Sequence, residues 1–300
     1  MSTTHAAVSP ARLVSLDAGA VRSLHRHAVG ASDARRFVGV DGVRLAYDDV
    51  GRGPTVVCLH AIGHGAGDFT RLAARLRDRH RVLALDWPGQ GWSDADAQPP
   101  TNRRYAELLD GFLAAVDAGP VVIVGNSIGG GAAIRWAAAH PGSVRGLVLV
   151  NTSGLDLFDR TTRVACGLMA RFFRAGVRRA WWYPRAFGAY YRTVLPAPAA
   201  TEQRARIVES AEEIAPVLAE AWSRFASPDA DLRALVPTIA CPVLVTWAVG
   251  DRFNQLKRAR PALQRFPHAR LVEFQGGHAP QLENPEAFEG EMTSFLAGLA

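Results

Sequence analysis

The chain has 300 residues, of which 48% are hydrophobic and 21% charged, so its composition is that of a globular protein and excludes a disordered chain. No apolar run reaches the roughly 20 residues of a membrane-spanning helix. The net charge of +6 permits anionic partners, but no zinc-finger, basic-zipper or RNA-recognition motif points to nucleic acid. Cys58, Cys166 and Cys241 lack paired spacing, which argues against disulfides and thiolate zinc sites and favours a cytoplasmic location.

Residues 1–36 are predicted to form an N-terminal arm that packs on the domain. Leu13, Leu16 and Leu24 recur near helical spacing behind Ser9-Pro10, a plausible helix start. A transit peptide is the alternative, because the segment holds arginine and serine and few acids.

From residue 37 the pattern is that of an α/β protein. Asp41-Gly42 between two apolar runs predicts a hairpin, and the later runs are continuous, as in strands covered on both faces. The alternation predicts a mostly parallel central sheet flanked by helices. The predicted strands are 37–40, 43–49, 55–59, 81–85, 121–125, 144–150, 243–247 and 270–274, and the predicted helices are 68–79, 105–118, 128–139, 255–266 and 285–299.

A stretch of about 90 residues without a strand signal interrupts this alternation before Pro242. It is rich in Ala, Arg and aromatic residues, which indicates helices. We therefore expect a helical cap over residues 155–237, inserted into a core formed by residues 37–154 and 238–300.

The clearest chemical motif is Gly125-Asn126-Ser127-Ile128-Gly129, which lies between a predicted strand and a predicted helix. That context predicts a nucleophile elbow, in which a strained turn exposes the serine hydroxyl above the sheet. A phosphate-binding loop is less suitable, since no lysine follows the glycines.

A nucleophilic serine needs a base and an orienting acid. His278 follows the last predicted strand on a glycine pair, and Asp251 follows the strand before it. Both lie just beyond C-terminal strand ends, where open parallel sheets place their sites. Asp156, which comes after the strand ending at Val150, is the alternative acid.

The oxyanion hole is predicted from the backbone N–H groups of Ile128 and of Ile62, on the loop after Leu59. His60 and His64 are four residues apart and could chelate a metal on a helix, but the surrounding glycines favour a loop. We therefore expect loop-shaping histidines, with no metal and no cofactor.

These motifs together resemble the α/β-hydrolase superfamily over about residues 37–300. Residues 86–94 are similar to its D-x-x-G-x-G-x-S loop, and Gly277-His278-Ala279-Pro280 to its histidine loop. The elbow and the loop at 60–67 also resemble the meta-cleavage-product C–C hydrolases. In those enzymes tryptophan follows the histidine and the loop at 60–67 carries a glycine and a proline, where this chain has Ala279, Ala61 and His64. The resemblance therefore implies an esterase-like serine hydrolase, with C–C bond hydrolysis as the alternative.

Substrate choice is assigned to the cap, whose aromatic residues Trp181, Trp182 and Tyr190 are candidates for an acyl pocket for a hydrophobic or aromatic small molecule. Residues 160–192 also hold eight arginines and no acid. A solvated basic face is the preferred interpretation, and recognition of an acidic substrate or contact with an anionic membrane surface are the alternatives. A non-catalytic sensor or binding module of the same fold is the alternative of another class.

Overall fold

A computed structural model describes residues 34–156 and 158–299. Eight strands form one sheet in the order β1-β2-β4-β3-β5-β6-β7-β8, in which β2 is antiparallel to both of its neighbours and all other pairs are parallel. This confirms the predicted fold class. The strands are β1 Arg35–Val40, β2 Val43–Gly51, β3 Thr55–Leu59, β4 Arg81–Leu85, β5 Val121–Asn126, β6 Val144–Val150, β7 Val243–Ala248 and β8 Ala269–Phe274.

Helices cover both faces of the sheet. Successive residues of each buried strand point to opposite sides, so each strand contributes apolar side chains to both layers. On one side Val57, Leu59 and Ile123 belong to a core that includes α2 and α3; on the other, Val56 and Cys58 pack with α1 and α10. The α-helices of the described residues are α1 Thr70–Leu76, α2 Asn102–Ala115, α3 Ile128–Ala139, α4 Arg160–Val177, α5 Tyr183–Val194, α6 Thr201–Glu209, α7 Ala215–Arg224, α8 Leu256–Leu263, α9 Pro280–Glu283 and α10 Pro285–Ala297.

Several element boundaries differ from the prediction by a few residues, among them the starts of β1 and α2. Strand β1 begins at Arg35, within the predicted arm, and the rest of that arm up to residue 33 lies outside the described residues. Helix α2 begins at Asn102 and not at Tyr105, because the Thr101 side chain accepts a hydrogen bond from the Arg104 N–H at 3.0 Å and caps the helix.

Four α-helices, α4 to α7, separate β6 from β7, and no strand lies between these two in the part of the chain that is described. Helix α4 packs along α7. None of the described helices combines the length and the apolar character needed to cross a membrane.

Candidate active site

Ser127 lies at the sharp turn between β5 and α3. Its backbone has a φ of 55° and a ψ of −116°, a strained conformation for a residue with a side chain. The turn requires glycine nearby, since a Cβ on Gly125 would lie 2.6 Å from the Cα of Gly130. The Val150 carbonyl accepts a hydrogen bond from the Ser127 N–H at 3.0 Å. The serine is therefore fixed at the C-terminal edge of the sheet, at the positive end of α3.

Asp251, three residues past β7, and His278, four residues past β8, form a buried pair. His278 Nδ1 lies 2.7 Å from Asp251 Oδ2, which leaves Nε2 as the basic nitrogen when Nδ1 donates to the carboxylate. Burial of the ring opposes protonation, but the charge and hydrogen bond of Asp251 outweigh it, aided by Glu283. The pKa of His278 consequently lies above its ordinary value.

Three further donors orient the Asp251 carboxylate. Oδ1 accepts from the backbone N–H groups of Phe253 at 2.8 Å and Asn254 at 3.2 Å, and Oδ2 accepts from Asn151 Nδ2 at 2.6 Å. Asn151 is itself fixed, because its side-chain oxygen accepts from the Ala248 N–H at 2.9 Å. Sequence reasoning missed Asn151, although a residue with a φ of 39° directly after β6 is a position at which asparagine is favoured.

The alternative acid, Asp156, has a different partner. Its Oδ1 lies 3.2 Å from Arg258 Nε, while His278 Nδ1 is occupied by Asp251. Asp156 lines the same cavity as Ser127 and His278, so its carboxylate belongs to the cavity wall. The structure therefore brings Asp251 to the histidine and leaves Asp156 in an ion pair.

A single cavity is lined by Ser127, His278, Ile62 and Ile128. Among the described residues no hydrogen bond joins Ser127 to His278; in substrate-free enzymes such contacts are commonly long and tighten on binding. Ile128 is the first residue of α3, so its N–H has no acceptor within the helix. The loop that carries Ile62 is held by a buried glutamine: Gln90 Oε1 accepts from the Gly63 N–H at 2.6 Å.

His60 and His64 have separate roles in this loop. His60 Nδ1 lies 2.7 Å from the Ala61 carbonyl oxygen, and its Nε2 accepts from the Trp87 N–H at 2.9 Å. Burial lowers the pKa of His60 to about 4, so the ring is neutral and fixed by the backbone. No cluster of three or more potential metal-binding His, Cys, Asp or Glu side chains occurs in residues 34–156 and 158–299.

A second His–Asp pair borders the cavity. His64 Nδ1 is 2.6 Å from Asp68 Oδ2, and both side chains are buried. Gln203, on α6, donates from Nε2 to the other Asp68 oxygen at 2.7 Å. The sequence did not predict this pair, because the glycines around His64 indicate an irregular loop. In the structure a short 3₁₀ turn, Ala66–Phe69, follows His64 and contains Asp68.

Aromatic side chains form much of the remaining cavity wall, but not those expected at the start of α5. Tyr190, Trp222 and Phe253 line the cavity, and the ring centroid of Phe253 is 6.4 Å from that of His278. Trp181 and Trp182 are not in the wall, because they precede α5 on the outer surface and are 83% and 38% exposed. The pocket prediction is therefore kept for Tyr190 and corrected for the two tryptophans.

The histidine loop is anchored by groups for which no such role was predicted. The Val194 carbonyl, at the end of α5, accepts from the His278 N–H at 2.8 Å. Glu283 Oε2 accepts from the Gly277 N–H at 2.8 Å, and Oε1 accepts from the Ala197 N–H at 3.1 Å. Burial raises the pKa of Glu283, although its backbone donors and His278 oppose the shift.

Comparison with known proteins identifies the same architecture. A model of an alpha/beta hydrolase family matches residues 56–291. A pimeloyl-[acyl-carrier protein] methyl ester esterase of Chromobacterium violaceum is 31% identical over 85% of this chain and 98% of that protein. A 2-hydroxymuconate semialdehyde hydrolase of Pseudomonas putida is 30% identical over 85% of this chain and 92% of that protein.

Two further matches are a much longer protein, of which this chain spans a small part, and a solved structure of similar fold. Polyketide synthase ThaQ of Burkholderia thailandensis is 31% identical over 89% of this chain, which spans only 13% of that protein. The structure of a thermophilic esterase from Thermogutta terrifontis aligns with this chain with a TM-score of 0.75 and 23% sequence identity. The alignment covers 88% of this chain and 98% of the esterase chain, and it shows a likeness of fold.

Proposed function

Because the chain belongs to the alpha/beta hydrolase family and is a hydrolytic enzyme, we propose that it cleaves carboxylic esters of hydrophobic or aromatic small molecules through Ser127, His278 and Asp251. The observation that carries this proposal is the 2.7 Å contact between His278 and Asp251 beside a serine in a strained elbow. A strained backbone and a buried, oriented imidazole are what an activated serine requires.

In the proposed mechanism, His278 Nε2 takes the hydroxyl proton of Ser127 as the serine oxygen attacks the ester carbonyl. The charge of Asp251 stabilises the imidazolium that forms. The proton then passes to the leaving alcohol oxygen as the C–O bond breaks, which leaves an acyl-serine. Water, deprotonated by His278, attacks this acyl group and returns Ser127 with release of the acid.

The developing oxyanion is assigned to the backbone N–H groups of Ile62 and Ile128. Removal of one such donor typically costs about 10²–10³ in kcat in serine hydrolases. The buried contact of Gln90 with the Gly63 N–H supports this assignment, since it fixes the loop on which Ile62 lies.

Substrate choice is assigned to the helical segment 155–237, which we propose as a cap. Tyr190 and Trp222 from this segment line the cavity next to Phe253, and their rings provide apolar walls for an aromatic or aliphatic acyl group. C–C bond hydrolysis is the second candidate, because the 2-hydroxymuconate semialdehyde hydrolase is 30% identical over 85% of this chain.

The proposal is tested by labelling with a fluorophosphonate probe and by turnover of p-nitrophenyl esters of increasing acyl length, beside a ring-cleavage dienone. We expect wild-type protein to be labelled and to hydrolyse the esters, while Ser127→Ala does neither and keeps its circular dichroism spectrum. A matched control is Ser153→Ala, since Ser153 also lines the cavity but is outside the elbow. Absence of labelling in folded wild-type protein would leave the non-catalytic binding module, and preference for the dienone would favour the C–C hydrolase.

A further inference from the structure

The outer face of α4 and the turn into α5 carries an unusual number of exposed apolar side chains. Seven large apolar side chains of the described residues are exposed, and five of them lie within residues 164–182. Scattered exposed apolar residues are ordinary, whereas a cluster marks an interaction surface. The five are Val164 at 57%, Leu168 at 62%, Val177 at 48%, Trp181 at 83% and Trp182 at 38% exposure.

The same surface is strongly basic. Residues 160–192 contain eight arginines and no acid, and in the described structure only Arg179 makes an ion pair, with Glu212 at 3.8 Å. Elsewhere arginines commonly have carboxylate partners, as Arg81 has Asp49 at 2.8 Å. Five of the seven unpaired arginines lie on α4 or directly after it, namely Arg160, Arg163, Arg171, Arg174 and Arg178, and the other two, Arg185 and Arg192, lie on α5.

Helix α4 connects this surface to the active-site cavity. Its 18 residues make it about 27 Å long. Thr162 and Cys166 line the cavity, while Val164, Leu168 and Arg171 recur at i, i+4 and i+7 on the exposed side. A partner bound to the outside of α4 would therefore lie one helix diameter from the cavity.

The chemistry favours an anionic bilayer over an acidic protein or a second copy of this chain. Exposed tryptophans beside leucine and valine suit the boundary between lipid headgroups and acyl chains, where indole rings concentrate. Arginine can lay its methylene stem along that boundary and keep its charge among the phosphates. A second copy would bring the five unpaired arginines of this surface against their own like charges.

We propose that the exposed face of α4 with the α4–α5 turn, residues 160–182, is a docking surface for anionic membranes. This proposal goes beyond ester hydrolysis, since it places the protein on the surface of a bilayer. In that position the cavity would lie close to lipophilic molecules. No step of it requires the serine to be reactive.

The test is co-sedimentation of full-length protein carrying Ser127→Ala with vesicles of phosphatidylcholine alone, or with roughly one third phosphatidylglycerol. We expect binding to the anionic vesicles, weaker at high salt, and a blue shift of tryptophan fluorescence. Arg171→Glu/Arg174→Glu should lower the partition coefficient about tenfold or more. Trp181→Ala should reduce both binding and the spectral shift.

The matched control is Arg75→Glu/Arg77→Glu, which makes the same charge change at exposed positions on and just after α1. This control should bind at least half as well as the unsubstituted protein. Equal loss in both double variants, or no binding to anionic vesicles at low salt, would overturn the proposal. So would a concentration-dependent dimer lost with Trp181→Ala, or retention on an acidic acyl carrier protein without vesicle binding. Because the variant tested lacks the serine nucleophile, these outcomes are independent of whether the protein hydrolyses esters.

Discussion

Replacement of Asp251 by asparagine changes one atom and reverses a hydrogen bond at the centre of the site. Oδ2 accepts from both His278 Nδ1 and Asn151 Nδ2, at 2.7 and 2.6 Å. An asparagine that kept its oxygen at this position would turn its NH₂ toward the N–H groups of Phe253 and Asn254. In the other orientation its NH₂ would face His278 Nδ1, which then has to act as the acceptor.

Either orientation carries a cost that follows from these contacts. In the second, His278 takes the tautomer with the proton on Nε2 and can no longer accept the Ser127 proton. The corresponding change in a serine protease lowers kcat by about 10⁴. We therefore expect kcat to fall about 10³–10⁴-fold, or about 4–5.5 kcal/mol of transition-state stabilisation. Two donors facing each other should also lower the free energy of unfolding by about 1–3 kcal/mol.

The assay is steady-state hydrolysis of a p-nitrophenyl ester, with urea unfolding as the measure of stability. Asp156→Asn is the matched control, since Asp156 makes its ion pair with Arg258 and not with the histidine. It should change kcat less than about threefold. A larger loss in Asp156→Asn than in Asp251→Asn would refute the assignment of the acid.

Four further outcomes follow from the same contacts. The mechanism requires His278 to be uncharged, so kcat/KM should rise with pH. The inflection should lie above 6.5, the ordinary pKa of histidine, because Asp251 raises the pKa of His278, and it should move to lower pH in Asp251→Asn. Tyr190→Ala should change the ranking of acyl chains in kcat/KM, whereas Trp181→Ala should preserve it, because only the tyrosine lines the cavity. Gly129→Ala should lower activity and destabilise the fold by about 1–3 kcal/mol in thermal melts, because its Cβ would overlap the Leu59 carbonyl. Treatment with EDTA should leave kcat unchanged; restoration of a lost activity by a divalent metal would contradict the mechanism.

The sheet could be predicted because its signals are local. Continuous apolar runs such as 121–124 can be buried only between two helical layers, and Asp41-Gly42 supplies the two positive φ angles, 48° and 80°, of a tight hairpin. The start of α2 required a side-chain contact from Thr101 to Arg104, which apolar periodicity does not report. Periodicity thus predicts the buried face of an element better than its first residue.

In the site, the residues of the proposed triad were predictable and those that hold them in place were not. Ser127, Asp251 and His278 each follow a strand, so topology alone brings them to one edge of the sheet. Asn151 also follows a strand, but its hydrogen bond to Asp251, 100 residues away, and that of Glu283 to Ala197, 86 residues away, are not encoded in any spacing. Trp181 and Trp182 were wrongly predicted to line the pocket for a related reason. Aromatic composition is compatible with a pocket and with an outer surface. The structure shows that both tryptophans precede α5, which begins at Tyr183.

The contacts of the helical segment with the core constrain how a cap could move. The end of α5 is joined to the histidine loop, since the Val194 carbonyl accepts from the His278 N–H at 2.8 Å. A displacement of this end would break that hydrogen bond and release the base, so opening by α5 would disable the proposed site. Helix α6 is tied in the same way through Gln203 and Asp68, at 2.7 Å. The start of α4 is tied as well, since Arg258 Nη2 on α8 donates to Thr162 Oγ1 at 2.8 Å. Beyond that point α4 packs along α7; Cys166 and Trp222 line the cavity, and Leu168 faces outward. We therefore expect entry of substrate to occur beside α4, on the side at which the proposed docking surface meets the bilayer.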